Sequence, residues 1–427
     1  MILAVFLISI FTFLFLGIPV AFSILLTVLT MAEASGVTSY EIVPSYLYSG
    51  VNNFALLAIP FFVFCGDLMT AGDLSKGIVE FCRVLLGHVR AGIGYAAILA
   101  CMIFAALTGA AVVTISAIGG IMLPIMIKEG YDAADSTACV CAGSITGPII
   151  PPSLPMVIFG VLSGASVTRM FIGGVIPGVI TGLVCMLAWY FMNKNKNYAL
   201  KPKATPQEIW TAFKKAFPAL MMPVIMMGGI LSGIFTPTEA GVVACVYAWV
   251  VSTFLYKKMN MKTLKRVAIA SAKSTAVIML IVAACQALAM VITVARIPQA
   301  IAAAISSVSS NPLVVMCLIN LFVLIVGLFM DVTPALTILT PIFLPIVTDI
   351  GMDPIVFGVT MVYGLCIGLI TPPVGNVLYI GIGISKITLL DLLKKIWPMV
   401  VLYIAVLFLM TVVPGLITFL PNLFTGA

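Results

Sequence analysis

Apolar runs of membrane-spanning length recur from one end of this chain to the other, and no other feature constrains its fold as strongly. They fall at about 3–30, 51–70, 92–127, 136–165, 173–192, 217–235, 239–256, 274–295, 312–348, 355–384 and 397–420. A run of ~18 apolar residues marks a spanning helix. Of 427 residues, 63% are apolar and 8% charged. Soluble domains carry ~25% charged residues, so this chain cannot clothe a water-facing surface. Soluble enzymes, disordered hubs and nucleic-acid binders are excluded. The alternation of an outer-membrane barrel is absent. The expected class is an all-α polytopic membrane protein. Residues 1–32 carry no charge, so the basic region of a cleavable signal is missing and the stretch reads as the first permanent span.

Two runs, 92–127 and 312–348, are too long for one crossing. Each has small or polar residues at its middle: Thr108-Gly109-Ala110-Ala111 and Asp331-Val332-Thr333-Pro334. Each is expected to be a re-entrant helical hairpin, since irregular backbone at membrane depth must face protein or water. The net charge of +7 tests this, because Lys and Arg gather in cytoplasmic loops. Lys194, Lys196, Lys201, Lys203, Lys214 and Lys215 lie in one loop, and Lys257, Lys258, Lys262, Lys265, Arg266 and Lys273 in another. With two hairpins and nine full crossings, all of the 21 basic residues except Arg169 and Arg296 fall inside. The trace sets the N-terminus in the cytoplasm and the C-terminus outside. Residues 206–213, with Trp210 and Phe213, read as an amphipathic helix lying in the cytoplasmic interface.

The same trace shows a repeat. Residues 1–192 run span, span, polar arm (71–90), hairpin (about 92–127), broken span (about 136–165), span. Residues 239–427 repeat the order, with an arm at about 296–311, a hairpin at about 312–348 and a broken span at about 355–384. The linker and connecting span at 193–238 invert the second half. Inverted repeats with interrupted helices are the architecture of secondary transporters, whose site lies at the repeat interface.

The breaks carry the chemistry. One runs from Gly143 through Thr146, Gly147, Pro151 and Pro152 to Ser153; the other from Gly368 through Thr371, Pro372, Pro373 and Gly375 to Asn376. Adjacent prolines remove backbone donors, so carbonyls lose helical partners and can serve a cation such as sodium. The half-helix N-termini favour an anionic substrate. The hairpin turns are the natural partners, with Thr108, Gly109 and Thr114 in one, and Gly327, Asp331 and Thr333 in the other. Asp331, isolated in an apolar run, marks an ion or substrate path or caps a helix. Arg169 and Arg296 either steer anions or snorkel. The ten cysteines read as small buried hydrophobes, and His88, the one histidine, cannot form a metal centre alone. No phosphate-binding glycine loop ending in Lys-Ser or Lys-Thr is present, so ATP is not the evident energy source.

The sequence resembles the large membrane subunit of tripartite ATP-independent periplasmic (TRAP) transporters, within the ion-transporter superfamily. The likeness covers nearly the whole chain. It rests on Gly17-Ile18-Pro19-Val20-Ala21-Phe22, Ile59-Pro60-Phe61-Phe62, Ala117-Ile118-Gly119, Thr146 to Ser153, Phe235-Thr236-Pro237-Thr238-Glu239-Ala240 and Leu369 to Asn376. The resemblance implies sodium-coupled uptake of an organic anion across a bacterial inner membrane by an elevator motion. It also implies a small four-helix membrane subunit and a periplasmic substrate-binding protein as partners. Carried over, one Na+ site would use Thr108, Gly109, Thr146 and Gly147, and the other Gly327, Asp331, Thr371 and Gly375. Substrate would lie near Thr108, Ser153, Asp331 and Asn376. Relatives with a Ser-Gly-Ser-like first tip have a hydroxyl where this chain has Ala110, which weakens assignment to sialic acid and leaves a dicarboxylate, another sugar acid or a small sulfonate. The rivals are a stand-alone sodium–anion symporter of the same superfamily and a passive membrane scaffold.

Overall fold

A long apolar sequence in a bilayer must satisfy its backbone within itself, and the chain does so with helices. The computed structural model describes residues 2–36, 42–196, 198, 202–309 and 311–425, among which no strand occurs. Lys201 of the basic linker lies outside them. Eight helices of the described residues are long and apolar enough to cross a membrane.

The first half begins with α1 (Ile2–Phe15) and α2 (Val20–Ala34). The run at 3–30 is therefore not one straight span. Gly17 adopts φ +78°, and the Ile18 amide returns to the Phe13 carbonyl at 3.2 Å. This glycine-closed helix end, followed by Pro19, stops α1, and α2 packs back on it. Next come α3 (Ile42–Val51), α4 (Ala58–Ala71) and the amphipathic arm α5 (Leu74–Leu86), which buries Leu74, Ile78, Val79 and Cys82. The long run that follows is two helical legs. Its first leg is α6 (Gly92–Thr108); its second is α7 (Ala111–Thr114), a π turn at Ile115–Gly119 and α8 (Gly120–Lys128). Then α9 (Ala133–Ser144) and α10 (Leu154–Ser163) flank the first break, and α11 (Val167–Asn193) ends the half.

The linker differs from expectation. The amphipathic segment at 206–213 and the span at 217–235 form one helix, α12 (Pro206–Leu231). A capping box starts it, with Thr205 and Glu208 satisfying each other's end groups. Neither Pro218 nor Pro223 ends it.

α13 (Pro237–Val250) continues into a π turn at Val251–Leu255. The basic stretch after it is mostly helix, because α14 (Met261–Val294) runs for 34 residues. At ~1.5 Å per residue it outreaches a hydrocarbon core, so the turns bearing Lys262, Lys265 and Arg266 lie beyond it. The arm α15 (Ile297–Val308) leads to the second long run, α16 (Pro312–Gly327) and α17 (Val332–Asp349). The second break separates α18 (Pro354–Gly368) from α19 (Asn376–Ser385). The terminal run at 397–420 is divided between α20 (Leu389–Val412) and α21 (Gly415–Thr425), interrupted at Val413-Pro414.

α9 and α18 form the centre: every residue from Ala134 to Ser144 and from Ile355 to Gly368 is buried. The halves interlock there, with α20 and α19 on α9, and α17 and α18 on α10. Elsewhere α4 packs against α13, and α2 and α4 against α14.

Close approach fixes the outer wall of this block. A Cβ at Gly94 would lie 2.1 Å from Cε2 of Trp189, whose buried Nε1 donates to the Ala91 carbonyl at 3.0 Å. Gly94→Ala is expected to lower the detergent melting temperature, by ~1–3 kcal/mol of overpacking. Combining it with Trp189→Phe should recover part of that loss in a thermal-shift assay; strictly additive losses would show that the two residues do not press on each other.

Candidate functional site

Proline has no amide hydrogen; Pro151 and Pro152 of the first break are buried, whereas in the second Pro372 is half-buried and Pro373 exposed. After α9 the backbone tightens. The amides of Thr146 and Gly147 reach back to Gly143 and Ser144 at 3.3 and 3.0 Å, and those of Ile149 and Ile150 both reach the Thr146 carbonyl. No donor among the described residues reaches the main-chain oxygens of Ile145 and Gly147. Pro151-Pro152 is cis, as is Pro372-Pro373 in the second break. There the amides of Leu369, Ile370 and Thr371 each bond three residues back at 3.1 Å. Gly375 then turns the chain at φ +35° into α19.

A tip closes over each break, main chain to main chain. In the first, Gly109 ends α6 at φ +62°, and a Cβ there would fall 2.5 Å from the Pro152 carbonyl. A Cβ on Gly147 would meet the Ala110 backbone at 2.7 Å. In the second, a Cβ on Gly368 would lie 2.1 Å from the Gly327 carbonyl oxygen. The Val374 amide donates to the Leu328 carbonyl at 3.1 Å. Glycine at 109, 147 and 368 is thus what lets tip and break touch, while a Cβ on Gly327 would make only ordinary contact with Leu365 and Gly368.

The residues singled out from sequence fare unequally. Thr108, Gly109 and Gly147 come together, with Thr108 Oγ1 3.4 Å from Thr114 Oγ1. Thr146 is buried beside them, its hydroxyl donating to Gly143 at 2.7 Å. Gly327 lies on the end of α18, and the Thr371 hydroxyl donates to Ile367 at 2.7 Å. Asp331 is exposed and caps α17, its Oδ1 accepting from the Val332 amide at 2.8 Å. No hydrogen bond ties it to Thr371 or Gly375 among the described residues. Ser153 is fully buried; it caps α10 and donates to the Pro148 carbonyl. Asn376 is half-buried at the start of α19.

Sequence reasoning missed one charged cluster. Asp135, 1% exposed in the first turn of α9, forms ion pairs with two lysines distant in the chain. Lys395 Nζ on α20 lies 3.0 Å from Oδ1, and Lys196 Nζ sits on Oδ2. The Lys196 carbonyl in turn accepts from Arg90 at 3.0 Å. Burial pulls the Lys196 ammonium down, but the hydrogen bond and charge of Asp135 outweigh it, so the group stands above its ordinary value. The one available signal was an acid entering an otherwise apolar helix.

Two proline breaks, each met by a glycine tip, lie within a bundle of apolar helices, and the class is that of a membrane permease. The family profile described as "Tripartite ATP-independent periplasmic transporter, DctM component" matches residues 7–416, and the chain belongs to that family. It is 40% identical over 402 residues to the 2,3-diketo-L-gulonate TRAP transporter large permease protein YiaN of Escherichia coli, covering 94% of this chain and 95% of that one. It is 37% identical over 376 residues to the C4-dicarboxylate TRAP transporter large permease protein DctM of Pseudomonas aeruginosa, covering 88% of each. The crystal structure of the Alcanivorax borkumensis YdaH transporter shares the fold, with TM-score 0.62 over 87% of this chain and 88% of that one at 13% identity. The protein is a transporter permease component and not an enzyme.

Asp135→Asn should destabilise the fold by ~1–3 kcal/mol. That lies below the ~3–5 kcal/mol of breaking a fully buried pair, because both lysines keep a route to water. A raised lysine pKa contributes stability that is present below the unfolded value, ~10.4, and fades as pH climbs through the folded one. The difference between wild type and Asp135→Asn should therefore be flat from pH 6 to pH 9, about the neutral range, in thermal-shift measurements. A difference that varies across that window would show that the lysine–carboxylate pairing does not underlie it.

Proposed function

We propose that the protein is the large membrane permease of a sodium-coupled tripartite uptake system for a small organic anion. One observation carries the reading: among the described residues no donor reaches the main-chain oxygens of Ile145 and Gly147 in the first break or of Ile370 and Thr371 in the second, and each break meets a glycine tip. Oxygens of that kind suit a desolvated cation. Thr108, Gly109, Thr146 and Gly147 would hold one sodium ion. Gly327, Asp331, Thr371 and Gly375 would hold the other, with Asp331 turning inward from its capping position. Substrate would lie between the tips, near Thr108, Ser153, Asp331 and Asn376, with Ser153 giving up its bond to Pro148. Relatives named for 2,3-diketo-L-gulonate and C4-dicarboxylate transport support an organic acid as cargo.

The order of elements supports an inverted repeat, 1–192 and 239–427, joined by 193–238. In the elevator reading the tips and broken helices slide as one block. The two long runs serve as hairpins that return to the side they entered, so the lysine-rich turns stay in the cytoplasm of a bacterial inner membrane. A small four-helix subunit and a periplasmic binding protein complete the system. Coupling requires sodium and substrate to favour the same state, since a ligand shifts populations only by differential affinity.

The test is uptake into proteoliposomes containing this chain, the small subunit and the loaded binding protein. An inward sodium gradient should drive uptake. Thr146→Val and Thr371→Val should each reduce it about ten- to a hundred-fold, the range for losing one ligand worth ~1.5–3 kcal/mol. Uptake indifferent to sodium, or unchanged in both variants, would overturn the site. Uptake by this chain alone would point to the stand-alone symporter.

A further inference from the structure

A cavity of about 760 Å³ opens between the arm α5 and the start of α12. Its walls bring together Arg83, His88, Lys203 and Lys215 with Glu80 and Glu208. The acids are already engaged. Glu208 accepts from the Thr205 amide and hydroxyl at 2.7 and 2.9 Å, and Glu80 holds Arg83 at 3.4 Å. The other fork of Arg83 meets Glu129 at 3.6 Å. The remaining polar groups have no such engagement: among the described residues Lys203 and Lys215 form no ion pair, and His88 Nδ1 is buried with no hydrogen-bond partner. The cavity thus presents a surplus of positive donors.

The shape of that surplus selects the ligand. A planar carboxylate pairs best with a free guanidinium fork, and here both terminal nitrogens of Arg83 already face Glu80 and Glu129, leaving only a buried Nε. Two ammonium groups and an unpartnered imidazole nitrogen, on three different segments, line the cavity instead, and ammonium groups serve as point donors to the oxygens of a tetrahedral phosphate. Depth selects the source. On α12 beside the cavity, Trp210, Phe213 and Phe217 form a ladder with centroid spacings of 5.6 Å, joined by Phe81 of α5 at 5.8 Å. Trp210 and Phe217 are 56% and 46% exposed, and Lys214 Nζ stands 5.3 Å over the Trp210 ring. An exposed tryptophan flanked by lysines marks the level of lipid headgroups. Basic pockets between helices at that level take anionic headgroups.

We propose that this cavity is a phosphate-ester site that seats the headgroup of an anionic lipid, with the acyl chains lying along the exposed aromatics of α12. The lipid bridges α5 to α12. Because α5 leads directly into α6 and its tip, occupancy steadies the arm against which the first hairpin must work.

The experiment compares melting temperatures of the purified full chain in mixed micelles containing phosphatidylglycerol or phosphatidylcholine, with inorganic phosphate as a third arm. Phosphatidylglycerol should raise the melting temperature above phosphatidylcholine. Lys203→Gln/Lys215→Gln should abolish most of that difference, while the control Lys262→Gln/Lys265→Gln on α14 keeps it. A shift with inorganic phosphate that equals the lipid's, and is lost in the same double variant, would uphold the phosphate site and overturn the lipid as its source. Equal melting temperatures in all three arms, or equal losses in the double variant and the control, would overturn the proposal altogether. Should the double variant fail to fold, native mass spectrometry of His88→Gln takes its place: fewer retained phosphatidylglycerol molecules than wild type support the site, and equal numbers refute it.

Discussion

A carbonyl oxygen deep in a bilayer needs a donor or a cation, because no water is at hand. The proline pairs at 151–152 and 372–373 break that rule locally, and much of the architecture answers the breach. The helices that carry the breaks, α9 and α18, are enclosed on all sides. The tips that cover the breaks depend on glycines at 109, 147 and 368, because a Cβ at any of these would strike backbone. The turn at Gly17 between α1 and α2, in contrast, is an ordinary interruption that satisfies its own amides.

Polarity follows the same logic. α9 is the least apolar of the central helices, yet every residue from Ala134 to Ser144 is buried. Its hydroxyls spend themselves on its own turns: Ser136 on Asp132, Thr137 on Ala133 and Ser144 on Cys141. The carboxylate of Asp135 needs partners from outside and finds them on the linker and on α20. Tyr403 of α20 adds a hydrogen bond to the Ala142 carbonyl at 3.1 Å. The halves are therefore tied along the length of α9 and not at one end only.

The breaks and tips are legible in the sequence because proline and glycine act through local backbone geometry that the sequence displays. The limits of legibility have equally physical causes. A hydropathy run reports only what lies in hydrocarbon, so it cannot show that α14 continues through Lys262 and Arg266, or that α12 joins an interfacial turn to a span. Gly17 and Pro19 sit inside an unbroken apolar run, where a reversal and a crossing look alike. The Asp331 carboxylate stands out in its apolar surroundings, but a capping role and an ion path make the same demand on sequence. Lys196 and Lys395 read in sequence only as markers of the cytoplasmic side, since their partner lies 61 residues from the nearer of them.

That shared carboxylate has a genetic consequence. Position 135 lies in the leading portion of the chain and position 395 near its end, so a crossover between this gene and that of a cousin would separate the acid from one of its bases. Recombinants whose parents had not both kept the trio would forfeit that share of stability. Descent by exchange of halves is thereby discouraged, and the two portions are bound to drift together.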